Sequence, residues 1–186
     1  MTEMTLFSAT LLIFAAVMTT AGCAALIFCR NERFLPILEK LPREKKAGAV
    51  LGVCVVFWCI PNLRPILDPG SFLQPLLIPL AVVAIVLAVM YLDYLFARAF
   101  AGFLILLAHY FLKEGHGANL FPWTAILAAL LMIMGIAGIF VSAKPYYLRD
   151  YFRYLCRNKM IRILSAVYFI LTGLSALLVF VLTFMK

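Results

Sequence analysis

Charge is scarce in this chain. Charged residues make up 13% of its 186 positions, about half the share of a soluble domain, while hydrophobic residues make up 66%. A water-soluble globule of this size has too little interior to hide so much apolar surface, and the excess would lie on its outside. The same composition excludes a disordered chain, a collagen and a disulfide scaffold. The solvent that suits it is a bilayer.

Catalytic signatures are missing too. There is no G-x-S-x-G, no H-E-x-x-H, no Walker loop, no carboxylate cluster and no C-x-x-C. Two histidines, His109 and His116, are too few for a usual two-haem four-helix cytochrome and have no metal-ligand spacing. Cys23, Cys29, Cys54, Cys59 and Cys156 are expected to act as small apolar fillers. No cofactor and no metal are expected, and an enzyme has the least support.

Six apolar runs are present instead, at about 5–29, 47–60, 72–92, 97–112, 121–143 and 163–185. A bilayer core takes roughly 20 apolar residues in helix. The runs show no alternation, so they read as helices rather than strands. The expected fold class is all-α: one integral membrane domain over 1–186, a polytopic six-transmembrane-helix bundle with short basic amphipathic cytoplasmic segments. A five-span arrangement, with the short second run lying in the interface, breaks the charge rule applied below. The first run is expected to stay uncleaved, because no Lys or Arg precedes it and it is longer than a signal-peptide core.

Orientation follows from the basic residues. Loops one, three and five hold Arg30, Arg33, Lys40, Arg43, Lys45, Lys46, Arg98, Lys144, Arg149, Arg153, Arg157, Lys159 and Arg162, which is 13 of the 16. The other side keeps Arg64, Lys113 and Lys186. Positive charge stays on the cytoplasmic side, so both termini are expected outside. The net charge of +8 is thereby explained without nucleic acid.

Loop five is the densest feature. Arg149, Arg153 and Arg157 recur every four residues and fall along one helix face. Leu148, Tyr151, Phe152 and Leu155 fall on another, and Lys144-Pro145 suits a helix start. Aromatic-plus-basic composition beside a span suits the headgroup layer. The plain expectation is topogenic charge and anchoring. The sharper one is a docking face for a partner subunit or an anionic headgroup, carried by Arg149, Arg153, Arg157, Tyr151 and Lys159. Loop one is a weaker copy, with Phe34, Ile37, Leu38 and Leu41 on one face. Residues 34–50 overlay 151–167 with Leu38 on Leu155 and Lys40 on Arg157, which hints at a helical-hairpin repeat.

Three polar residues stand near or within the apolar runs: Asp93, Arg98 and His109. Such residues are costly in a bilayer and often functional. Asp93 and Arg98 are expected to pair across a tight turn. Arg98, Gly102, Ile105 and His109 share a helix face, with His109 toward the outer headgroups or a water-filled space. Residues 113–117 read as an outer loop. Five prolines between positions 61 and 79 are expected to bar a regular helix there, leaving an interfacial cap. Gly48-x-x-x-Gly52, Ala21-x-x-x-Ala25, Gly135 and Gly138 mark close helix contacts.

The leading expectation is a non-catalytic subunit or accessory scaffold of a larger complex in a bacterial inner membrane. Its partners would be anionic headgroups and other membrane subunits. A small-solute or ion transporter or channel component comes second. A small lipid-modifying enzyme using Asp93, Arg98 or His109 comes third.

Overall fold

The computed structural model describes residues 2–29, 34–63, 73–117 and 124–184. Every element among them is helical: α1 (Thr2–Phe28), α2 (Leu35–Lys40), a 3-10 turn (Leu41–Arg43), α3 (Lys45–Leu63), α4 (Leu73–Tyr91), α5 (Leu95–Gly117), α6 (Thr124–Ala143), α7 (Tyr146–Arg157) and α8 (Lys159–Phe184). Six of them, α1, α3, α4, α5, α6 and α8, are long and apolar enough to cross a membrane. The chain is a multi-pass helical membrane protein.

Some helices run beyond their apolar runs. α5 continues through Lys113, Glu114 and His116, where a loop was expected. Its 23 residues rise about 34 Å, so its charged end reaches past a hydrocarbon core of roughly 30 Å. α3 runs through Pro61. Proline removes one backbone donor, and here the helix has only two more residues to go. The Asn62 side-chain amide donates to the Trp58 carbonyl at 3.0 Å in that last stretch. Pro75 falls in the first turn of α4, where amide N–H groups have no helical partner to lose. Pro79 alone stands inside that helix. The expected interfacial cap falls mostly on 64–72, outside the described residues.

Two groups of helices form the bundle. α1 and α8 pack antiparallel along a small-residue seam. A Cβ on Gly22 would stand 2.8 Å from Ile170 Cγ1, and one on Gly173 would stand 2.5 Å from Thr19 Cγ2. The second group centres on α5, with α3 parallel on one side and α6 antiparallel on the other. A Cβ on Gly48 would meet the Phe96 amide nitrogen at 2.4 Å, and one on Gly138 would meet the Ala101 carbonyl at 3.0 Å. α4 packs chiefly on α3 and leaves most of its apolar surface open. The groups join through a core of Leu11 and Phe14 from α1, Phe111 from α5, Leu131 from α6 and Val179 from α8. The Phe14 and Phe111 rings lie 4.6 Å apart.

Polar side chains inside this core are satisfied. The Tyr168 hydroxyl donates to the Leu130 carbonyl at 2.8 Å, and buried Thr172 donates to the Tyr168 carbonyl at 2.8 Å. Among the described residues no buried side-chain nitrogen or oxygen lacks a partner, as a medium without water requires.

The alternating helix directions bring loops one, three and five to one end of the bundle. Their described basic residues stand at that end, and the start of α1 and the finish of α8 at the other.

Candidate functional site: a basic cap on one end of the bundle

The cap is built from two short segments that neither cross nor bury themselves in the bundle. Loop one folds as α2 and the 3-10 turn, each with a proline in its first turn, where its lost N–H costs nothing. Loop five folds as α7, an amphipathic helix that buries Leu148, Leu155 and Cys156. The apolar faces meet: Cys29, Leu155 and Cys156 form a small core with Leu35, Leu38 and Tyr151 packed against it. Leu38 and Leu155, equivalent in the sequence overlay of the two loops, therefore belong to one cluster.

Polar links tie the cap down. Arg162 at the start of α8 donates to the Cys29 carbonyl at 3.0 Å and to the Cys156 carbonyl at 3.4 Å. It thus neutralises the carbonyl-rich ends of α1 and α7 together, where a cation is favoured by the helix dipole. Asn158 has an extended backbone that ends α7, and its side-chain oxygen accepts from the Met160 amide at 2.9 Å, capping α8. Arg153 donates to Glu39 at 2.8 Å and joins the two loops across the cap. That carboxylate also holds the Arg153 guanidinium protonated beyond its ordinary range.

Loop three joins the same end through Tyr94. This residue has φ of 58°, in the left-handed region that a bulky side chain rarely adopts. Its hydroxyl accepts from Arg43 Nη2 at 2.8 Å and Nε at 3.2 Å, and the guanidinium carbon lies 5.1 Å from the ring centroid. The strained turn is thereby clamped by a residue of loop one.

The expected ion pair between Asp93 and Arg98 is not formed. Both side chains are exposed, and no salt bridge or hydrogen bond joins them. The reversal at Tyr94 lies between them at the polar end of the bundle, where each charge reaches solvent without the other. The shared face of α5 is also divided. Gly102 packs against Val55 of α3 and Ile105 against Gly138 of α6, while His109 is exposed on the outside of the bundle. These residues line no common channel. His116 lines a hollow of about 120 Å³ at the opposite end, walled by Phe7, Phe111, Leu131 and Val179.

On the cap an open groove of about 480 Å³ runs between α2 and α7. Pro36, Glu39, Lys40, Arg43, Glu44, Arg149 and Arg153 line it. Arg149 is paired with its neighbour Asp150 at 3.1 Å. Of the five residues singled out in loop five, Arg149 and Arg153 line the groove. Arg157 and Lys159 are exposed away from it. Tyr151 turns inward onto the small core, where burial pushes its phenol up. Lys40 and Arg43 were legible in the sequence only as basic residues of loop one, the weaker copy of loop five; Tyr94, in loop three, carried no signal there.

The cap core also joins two cysteines. Cys29 and Cys156 are both buried and belong to the same small core. Burial first, and Cys156 second, push the Cys29 thiol up to about 11. The filler role suits these two; Cys23 and Cys54 are exposed on the outer surface of the bundle instead. Among the described residues no group of three or more His, Cys, Asp or Glu is placed to hold a metal ion. What the cap offers chemically is a set of oriented guanidinium donors. Comparison with protein-family models, with curated proteins and with solved structures finds no match, so a functional reading rests on this geometry.

Proposed function

We propose that the chain is a non-catalytic accessory or scaffold subunit of a larger membrane complex. In this reading it sits in a bacterial inner membrane, with the basic cap in the cytoplasm and both termini outside. The observation that supports it is the separation of roles within the bundle. Helices α1, α3, α5, α6 and α8 close on one another through glycine and alanine seams, while oriented polar groups gather in the cap. A bundle of this kind presents surfaces: the open apolar side of α4 to lipid or a neighbouring span, and the cap to an anionic surface. Each Lys or Arg near such a surface contributes about 1 kcal/mol, so the cap binds the inner leaflet and fixes the orientation.

Purification in a mild detergent tests the proposal. A stoichiometric partner that stays bound through size exclusion is the expected result. A chain that elutes alone and equilibrates a small solute across liposomes overturns it in favour of transport.

A further inference from the structure

We propose that the groove between α2 and α7 is a binding site for a phosphoryl group, supplied by the headgroup of an acidic phospholipid. The inference goes beyond the subunit reading, because it concerns the purified chain and its lipid and needs no partner protein.

Three features of the groove point to this ligand. First, its walls are fixed. α2 and α7 share the small apolar core, and Arg153 bridges them to Glu39 at 2.8 Å. Second, its arginines are held from behind. Arg43 spends Nε and Nη2 on Tyr94, Arg149 spends Nε and Nη2 on Asp150, and Arg153 spends Nε on Glu39. A guanidinium has five N–H donors in a rigid fork, so each keeps donors for another oxygen while its orientation is already set. Pre-set donors lose less entropy on binding. Third, the charge balance suits a phosphate. Lys40, Arg43, Arg149 and Arg153 outnumber Glu39, Glu44 and the Asp150 that pairs with Arg149, leaving a surplus of one positive charge at the groove. Phosphoryl oxygens accept the paired bonds that arginine forks give. The groove volume of about 480 Å³ also lies within the usual range for small-molecule sites, roughly 300–1,000 Å³.

Its position selects the source. The groove adjoins the starts of α3 and α5, through Glu44 and through Arg43 on the Tyr94 ring, and such a mix of basic and aromatic residues beside spans suits the level of the headgroups. Arg157 and Lys159 make the contrast. They carry the same charge at the same end, but they lie outside the groove, and no ion pair or side-chain hydrogen bond among the described residues holds them.

The test uses the full chain in nanodiscs of phosphatidylcholine with a minority of phosphatidylglycerol, read by native mass spectrometry of the lipid retained. Preferential retention of phosphatidylglycerol is expected. The variant Arg43→Gln/Arg149→Gln should weaken retention about tenfold, the effect of losing a charge-assisted hydrogen bond. Arg157→Gln/Lys159→Gln, which removes equal charge from outside the groove, should weaken retention much less. Equal losses in both double variants overturn the proposal, because diffuse surface charge then explains the binding. Lys40→Gln covers the case in which the arginine variant fails to fold. Its side chain is exposed, and it should lower retention severalfold without moving the thermal midpoint. No effect of Lys40→Gln also counts against the groove. Inorganic phosphate added to phosphatidylcholine nanodiscs, with and without phosphatidylglycerol, separates the sources. Displacement of phosphatidylglycerol by phosphate confirms recognition of the phosphoryl group. Retention of phosphate alone, with no preference for phosphatidylglycerol, overturns the lipid as its source. Retention of neither overturns the site.

Discussion

Gly48 shows how much one missing side chain does here. A Cβ at this position would meet backbone atoms of Leu95 and Phe96 at 2.8 and 2.4 Å, so α3 and α5 would have to separate. Gly48→Ala should therefore cost about 1–3 kcal/mol and lower the thermal midpoint in detergent. Gly115→Ala meets nothing within 4 Å and should hold or raise it, since alanine favours a helix by about 1 kcal/mol. Equal midpoints for the two variants would contradict the seam. The pattern Gly48-x-x-x-Gly52 is legible in the sequence as a contact, but nothing in it names α5 as the partner. Asp93 and Arg98 mislead for a related reason: spacing of five residues says nothing of a left-handed turn at Tyr94. Asp93→Asn, Arg98→Gln and the double variant should give equal folded yields, because each charge meets water by itself. A single change that lowers yield, with rescue by the double, would restore the pair.

Cys29 carries a pH prediction at the same scale. Its folded thiol is raised from 9.0 to about 11, so the structure favours the protonated form. That contribution is complete below pH 9 and is lost as pH rises through about 11. A water-soluble alkylating agent at pH 8 should leave Cys29 unmodified in the folded protein and modify it after denaturation. Mass mapping of the modified peptides across pH 8–11 should show protection failing within that window. Rapid modification at pH 8 would contradict the buried pair.

At the scale of elements, apolar contact outweighs the visible ion pair in holding α7 to α2. The Arg153 side chain is 41% exposed, and ion pairs so open to solvent contribute little to stability. Leu155 is buried in the cap core, and Leu→Ala at such a site costs about 2–5 kcal/mol. Leu155→Ala should speed amide exchange along α7 strongly, while Glu39→Gln should change it little. The reverse order would show that charge holds the cap. α7 itself is readable from the sequence, because arginines at every fourth position and Leu148 and Leu155 on another face describe an amphipathic helix. Helix ends are less readable. Counting apolar residues locates the part within hydrocarbon, whereas the α5 backbone continues through Lys113 and Glu114, and prolines at the margins of α3 and α4 stop little.

For the whole molecule, the segregation of basic residues is legible in the sequence alone, because membrane insertion sorts Lys and Arg by side. The groove is not, since its lining comes from loops one and five and depends on how the two apolar faces meet. The central claim is a six-crossing bundle whose basic cap, formed by loops one, three and five, faces the cytoplasm. Single cysteines introduced into a cysteine-free variant test it most directly, at Glu44→Cys, Asp93→Cys, Asn158→Cys and His116→Cys. In intact cells a membrane-impermeant thiol reagent should label the cysteine at position 116 alone, and the other three should react only after permeabilisation. Labelling that divides positions 44, 93 and 158 between the two faces, or that reaches them from outside, would contradict the account.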